Sequence, residues 1–238
     1  MVARIGEFLP ERINMRVPSM TYSGSFEGAP RGPLYVDMSN RDGTPLVTLS
    51  TTEIMATKAV VADGASFVAA DFAGGVLPMA VPNRGRYGRT LQVVGSGGGT
   101  PVLEITGTDY LGQRLVKRTT LNGATPVTAT TGVCLTAWWT IASVKVVSGT
   151  AGINLSIGTQ NVWGLPYKAV AIVASLMDGL TATAHTLVAP IQTDPQTSSL
   201  GDPRGLLTMS TAPNSSHTYG ALLVFDDTNL HGVAQNSA

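Results

Sequence analysis

The sequence contains little that would hold it together covalently or carry it across a membrane. Among 238 residues there is one cysteine, Cys134, so an intramolecular disulfide is excluded, and we interpret this thiol as a small buried apolar side chain in a strand. The most apolar window, 169–176, is too short to span a bilayer and is interpreted as a core strand. No N-terminal stretch combines a basic start, a long apolar run and a small-residue cleavage site, so we expect no secretory signal.

Groups that could perform catalysis or bind a metal are equally scarce. The three histidines lack the close spacing of zinc-binding motifs, and no Gly-x-Ser-x-Gly elbow presents a serine nucleophile. The glycine-rich stretch at 96–99 lacks the Lys-Ser/Thr pair of a phosphate-binding loop and is interpreted as a joint. The adjacent carboxylates at 226–227 lie at a predicted turn, where such residues usually cap or bind solvent. We therefore expect no enzymatic activity, cofactor or metal.

Charged residues make up only 13% of the chain, about half the usual share for a soluble domain. Low charge fits a large buried core, and it equally fits a subunit whose outer faces are covered by partners, because interface centres are depleted in charge. Both interpretations stay open. The formal net charge is zero, so the chain has no broad positive field, and we expect no general binding to nucleic acid.

The central and C-terminal regions have the alternation and punctuation of β-strands. At 102–106 apolar and polar side chains alternate, and Asp109 and Gly112 follow as a hairpin turn before a returning strand at 114–121. Further strands are predicted at 126–130, 138–147, 153–157, 167–176, 185–193 and 217–225. Many short strands separated by turns predict an all-β fold, with an antiparallel β-sandwich or barrel module.

Several motifs in this region resemble those of a known family. They are ITGTD-x-x-G at 105–112, TLNG at 120–123, W-x-x-I-x-S-V-x-V-x-S-G at 138–149 and GT-x-x-x-x-G-L-P at 158–166. Together they resemble the immunoglobulin-like β-modules in structural proteins of tailed bacteriophages. The segments GDPRG, STAPN and LHGVAQ near the C-terminus are similar to the end of small phage virion proteins. The resemblance covers roughly residues 91–235 and implies a virion structural protein, without fixing its place in the particle.

Residues 1–45 are predicted to be an extended N-terminal arm, because prolines and glycines interrupt them repeatedly. The arm is too rich in apolar side chains for a solvated linker, so the rest of the same chain or a neighbouring subunit should cover it. The candidate subunit-contact residues of the arm are Phe8, Ile13, Met15, Tyr22 and Phe26. Residues 46–95 are interpreted as a small β-rich segment and residues 96–238 as the β-sandwich domain.

A short basic loop lies within the small β-rich segment, after residue 81. Arg84, Arg86, Tyr87 and Arg89 lie close together among glycines, a composition found in segments that contact nucleic acid through phosphates and stacking. Because the protein has no net charge, we favour salt bridges between subunits over contact with nucleic acid for this loop. Two tryptophans at 138–139 should face opposite sides of a strand, one filling the core; the other, for which we favour Trp139, would anchor a protein partner or stack on a sugar.

Three local elements are predicted in the N-terminal half. Segments 34–37 and 46–49 are expected to pair as a hairpin across the turn at 40–43. Segment 51–58 is expected to be a short helix because Ser50 and Glu53 have capping-box spacing, with a strand as its competitor since β-branched residues are dense there. Segment 60–81 is expected to hold two or three short strands.

Three functions are consistent with these observations. The first is a structural virion protein that stabilises the particle through subunit contacts, either as a capsid decoration or cement protein or as a head-to-tail connector, collar or tail component. Its partners would be the major capsid protein or the portal and tail proteins, with copies of itself, and it would lie in the virion after assembly in the host cytoplasm. The second is a host-adhesion or carbohydrate-binding module, and the third is a small β-barrel hydrolase.

Overall fold

The fold is known from a computed structural model of the chain. The structure describes residues 31–60, 63–96, 99–121, 133–149, 153–181, 184–191, 201–226 and 230–232. These residues form an all-β, sandwich-like fold in which every strand pairing is antiparallel, so the predicted fold class is confirmed. None of them belongs to a helix long and apolar enough to cross a membrane.

The described chain forms thirteen strands. Their bounds are β1 Arg31–Asp37, β2 Ser50–Ala59, β3 Met79–Ala80, β4 Arg89–Ser96, β5 Val102–Thr108, β6 Arg114–Thr120, β7 Thr140–Ser148, β8 Asn154–Gly164, β9 Ala169–Met177, β10 Leu180–Thr181, β11 Thr186–Val188, β12 Leu206–Thr208 and β13 Tyr219–Phe225.

The strands are arranged in three sheets. Sheet A has the order β1-β13-β9-β10, and sheet C has the order β3-β7-β5-β6. Sheet B has the order β11-β12-β8-β2, and β4 also pairs with β8. Strand β8 therefore has three partners, because β12 pairs near its C-terminal end at Gly164 while β2 pairs near its N-terminal end at Asn154.

The hairpin of β5 and β6 has the predicted form. Its register runs without interruption from Val102 opposite Thr120 to Thr108 opposite Arg114. The Asp109 carboxylate accepts hydrogen bonds from the backbone N–H groups of Leu111, at 2.9 Å, and Gln113, at 2.8 Å. Gly112 takes the positive φ of 81° that closes the turn.

Two hydrophobic cores lie within the fold. The first gathers buried side chains of sheets B and C, and Trp138 fills part of it. The second combines sheet A with the C-terminal part of β8 and with β12. Strand β8 contributes to both, since Leu155 and Ile157 belong to the first core and Trp163 to the second. Cys134 is buried as a free thiol in the first core, in a turn and not in a strand.

The predicted hairpin of 34–37 with 46–49 is wrong. The turn forms, because Gly43 donates to the Asn40 carbonyl at 2.9 Å, but 34–37 belong to β1 and pair with β13. The reason is burial: this pairing sets Val36 beside Ala221 in the second core. Residues 31–37 of the predicted arm are therefore part of a sheet, and residues 1–30 lie outside the described residues.

The predicted helix at 51–58 is also wrong, because this segment is strand β2. Glu53 does not reach back to cap a helix; its carboxylate accepts hydrogen bonds from Asn83 at 2.7 Å and from Thr159 at 2.8 Å. In the described part of 60–81 there is one short strand, β3, together with short 3₁₀ turns, where two or three strands were predicted. The strand predicted at 126–130 and the last two residues of the strand predicted at 185–193 lie outside the described residues.

Replacing Gly158 with alanine should destabilise the fold strongly. A Cβ at this position would lie 1.7 Å from the Ser50 carbonyl oxygen, which is backbone and cannot move alone. We expect the free energy of unfolding, measured in urea, to fall by about 3 kcal/mol. Gly112→Ala is the control: open space surrounds its Cβ, so only the positive φ costs about 1 kcal/mol. Equal losses of unfolding free energy in both variants would contradict the close backbone approach at Gly158.

Stability should fall as the pH drops below the ordinary histidine pKa of 6.5. His185 is buried, and its Nδ1 accepts a hydrogen bond from the Ser210 backbone N–H at 3.1 Å. Burial lowers the pKa of His185, so the folded state binds fewer protons than the unfolded state below pH 6.5, and acidification favours unfolding. His185→Gln should flatten the dependence of unfolding free energy on pH below 6.5, as urea denaturation at a series of pH values would show, and an unchanged dependence would contradict the prediction.

Candidate interaction surface

The basic loop predicted from sequence lies at residues 82–88, between β3 and β4, and is packed closely on the body of the protein. A Cβ on Gly85 would lie 3.0 Å from the Trp163 ring, and one on Gly88 would lie 3.0 Å from the Trp138 carbonyl oxygen. Both glycines have positive φ. The loop therefore needs glycine at these positions, and its arginines start from fixed backbone positions.

Arg84 and Trp139, 55 residues apart, form the outer part of this surface. The Arg84 guanidinium lies 3.7 Å from the centroid of the indole ring, and its Nη1 donates to the Trp139 carbonyl at 2.8 Å. Arg41 approaches the same ring at 5.4 Å. We call Arg41, Arg84 and Trp139 the cation–indole surface. Trp139 is half-buried and Trp138 fully buried, which confirms that the two tryptophans divide between surface and core.

The cation–indole surface carries positive charge that the described carboxylates do not neutralise by ion pairing. Within the described residues, no carboxylate oxygen lies within 4.0 Å of the Arg41 or Arg84 guanidinium. Burial, with the neighbouring charge of Arg41, lowers the pKa of Arg84. Two guanidinium groups on one ring repel each other, so an anion placed beside them would be attracted by both.

The remaining loop residues are engaged within the chain. Arg86 forms a two-point ion pair with Asp37, its Nη2 lying 2.9 Å and its Nε 3.1 Å from Oδ2. The ring of Tyr87 packs edge-on against Tyr110 at 5.4 Å between centroids. These contacts attach the loop to β1 and to the β5–β6 turn. A role of either residue in subunit contact stays a prediction.

Arg89 is fully buried, and its side chain bonds to groups inside the protein. Its Nη2 donates to the Val47 carbonyl at 2.9 Å, its Nε donates to the Gln160 carbonyl, and its guanidinium lies 4.7 Å from the Trp163 ring. Burial lowers the pKa of Arg89 to about 10. Its backbone also exchanges hydrogen bonds with Trp138. Arg89 therefore connects the two cores, and the surface contact proposed for it from sequence has no exposed atoms to use.

A buried ion network was not predicted from sequence. Arg204 lies 2.8 Å from Asp109 and 3.6 Å from Asp202, with all three side chains fully buried, and its guanidinium lies 4.9 Å from the Tyr110 ring. Burial acts to lower the pKa of Arg204, but the carboxylates outweigh it and the pKa is raised. Asp202 Oδ2 also accepts from the Ala137 backbone N–H at 3.2 Å. The network joins the hairpin turn to two loops.

The other predicted contact residues, Phe8, Ile13, Met15, Tyr22 and Phe26, lie outside the described residues. Among residues that the structure describes, no three histidine, cysteine or carboxylate side chains are grouped as metal ligands would be. Arg41 was not among the contact residues predicted from sequence. Comparison with protein-family models, with curated proteins and with solved structures found no match for this chain.

Replacing Arg89 and Arg84 separately should distinguish the buried arginine from the surface one. Arg89→Met removes a buried hydrogen bond to the Gln160 carbonyl and a part-buried one to the Val47 carbonyl, so we expect the free energy of unfolding to fall by about 3 kcal/mol. Arg84→Met removes one partly exposed contact and should cost about 1 kcal/mol or less. Urea denaturation followed by tryptophan fluorescence measures both. A larger loss in Arg84→Met would show that the surface arginine is the structural one.

Proposed function

We propose that this protein is a structural subunit of a tailed-bacteriophage particle, and within that class a capsid decoration or cement protein. It stabilises the particle by burying surface against other subunits and performs no catalysis. Its partners are the major capsid protein or the portal and tail proteins. A head-to-tail connector, collar or tail component is the alternative within the same class.

The fold supports the class of protein. The motif that resembles phage modules at 105–112 forms the turn of the β5–β6 hairpin, and the motif at 138–149 contains strand β7. Both lie in sheet C and contribute to the first core. Residues that carry the resemblance therefore occupy turns and strand pairings, which are the places where an immunoglobulin-like module requires particular residues.

The cation–indole surface is the observation that supports a function in subunit contact. Arginine and tryptophan are the residues most enriched at the energetic centres of protein interfaces. Here they lie together, half-buried, with positive charge left over in a chain of 13% charged residues. An acidic patch on a neighbouring subunit would neutralise both guanidinium groups.

A carbohydrate-binding role receives less support from the same residues. A sugar ring stacks on an open aromatic face, but the guanidinium of Arg84 already lies 3.7 Å from the centroid of the Trp139 ring. Trp138 is fully buried. Trp138 is therefore inaccessible to a glycan, and Arg84 already covers one face of the Trp139 ring.

Reversing the charge of the cation–indole surface should weaken assembly. The double variant Arg41→Glu/Arg84→Glu should bind particles that lack the protein at least about tenfold more weakly, ~1.4 kcal/mol. It should also fail to raise their melting temperature. The matched control is Arg114→Glu/Lys145→Glu, which makes the same charge change at exposed positions on sheet C.

Two experiments test the two parts of the proposal: charge reversal tests the surface, and labelling of virions tests the class of protein. Equal weakening by both double variants would assign the effect to net charge and reject the surface. Labelling virions with an antibody against the wild-type chain, viewed by electron microscopy, tests the virion assignment itself. Label at the shell supports a decoration protein, label at the neck or tail supports the alternative, and virions without label overturn the proposal.

A further inference from the structure

An aromatic cleft lies on the side of the fold where sheet A meets the β5–β6 turn. Its volume is about 280 Å³. The rings that line it belong to Tyr35, Tyr87, Tyr110, Tyr167, Phe225 and His231. Leu111, which is 42% exposed, forms part of its rim. The four tyrosines are partly exposed, so the cleft presents aromatic ring surface on a chain with only 6% aromatic residues.

The rings are fixed in place by one another. Tyr87 meets Tyr110 edge-on at 5.4 Å, and Tyr167 meets Phe225 edge-on at 5.5 Å and His231 at 5.3 Å. The hydroxyl group of Tyr110 donates to the Pro166 carbonyl, so it is satisfied within the chain. The cleft therefore offers ring surfaces that are already oriented, which lowers the entropy cost of binding an apolar side chain.

One wall of the cleft is the edge of a sheet. Sheet A has the order β1-β13-β9-β10, so β1 is its outermost strand among the described residues. Three consecutive residues of β1, Leu34, Tyr35 and Val36, line the cleft, which places the cleft along the strand. Along an edge strand, alternate N–H and C=O groups point away from the sheet and can pair with another extended chain.

These features together favour an extended peptide as the occupant. The volume is at the lower limit of small-molecule sites, which enclose about 300–1,000 Å³, but it suffices for anchoring side chains. The lining includes no carboxylate or amide side chain that would bind sugar hydroxyls. A strand added to β1 would combine main-chain pairing with insertion of apolar side chains between the rings.

We propose that residues 1–30 of this chain are the occupant, added along the edge of β1 with apolar side chains in the aromatic cleft. The sequence of this segment contains the large apolar side chains Phe8, Leu9, Ile13, Met15, Val17, Met20, Tyr22 and Phe26, which need cover. The segment joins β1 at Arg31, and Arg31 pairs with Phe225, a residue of the cleft. This proposal does not depend on the virion assignment.

Photo-cross-linking from the rim tests the proposal on the full chain. p-Benzoylphenylalanine is placed at Leu111, and the cross-linked peptides are identified by mass spectrometry. The matched control places it at Leu49, which is 44% exposed and lies outside the cleft. Cross-links from position 111 to residues 1–30, absent or much weaker from position 49, are expected. Cross-links from position 111 only to other segments overturn the proposal.

A mixture of isotope-labelled and unlabelled chains identifies the source of the segment. Cross-links within one isotope form show that each chain fills its own cleft, and mixed forms show exchange between two copies. The same chemistry serves both arrangements, so either result supports the proposal. Concentration dependence of the mixed form distinguishes a specific exchange from random collision.

Tryptic cleavage provides a second measurement that needs no cross-linker. If the segment is bound, cleavage after Arg12 and Arg16 requires its release, and the rate follows the released fraction. Leu111→Asp should increase that rate about fivefold or more, the factor for ~1 kcal/mol, whereas Leu49→Asp should leave it unchanged. Unchanged cleavage in Leu111→Asp, with wild-type circular dichroism, would overturn the proposal.

Discussion

The fold depends on one strand, β8, which passes from the first hydrophobic core to the second without a break. It pairs with β2, β4 and β12, so sheet B exists only through it. Backbone contact at Gly158 and at Gly164 brings neighbouring segments closer than any side chain would allow. The interaction surface depends on the same strand, because the basic loop packs over Trp163 near its end.

Part of the charge in this chain lies inside the protein. Arg89, Arg204, Lys117, Asp109 and Asp202 are all fully or almost fully buried, although the chain has only 15 basic and 15 acidic residues. Buried charges must be paired or hydrogen-bonded, and these residues fix the positions of loops and turns that lack a regular ladder. Charged residues make up only 13% of the chain. Against that background, two arginines on one indole ring form a distinct local feature.

Local patterns in the sequence predicted local structure well. The β5–β6 hairpin follows from alternation and from a turn whose residues act only on their neighbours. The pairing of β1 with β13 had no such signal, because the two strands come from opposite ends of the described chain. The pattern at Ser50 and Glu53 indicated a helix, but the partners of Glu53 come from distant segments, Asn83 and Thr159. The basic loop and Trp139 were recognised, whereas the approach of Arg41 and the Asp109–Arg204 pair depend on the fold itself.

The position of β13 has a consequence for biosynthesis. A ribosome delivers the chain from its N-terminus, so β1 has no strand to pair with until Tyr219–Phe225 have left the exit tunnel. The first core does not need β1 or β13 and can form earlier, around β5, β6, β7 and β8. Until β13 has emerged, the unfinished second core is exposed, and chaperone binding during that interval would protect the nascent chain from aggregation.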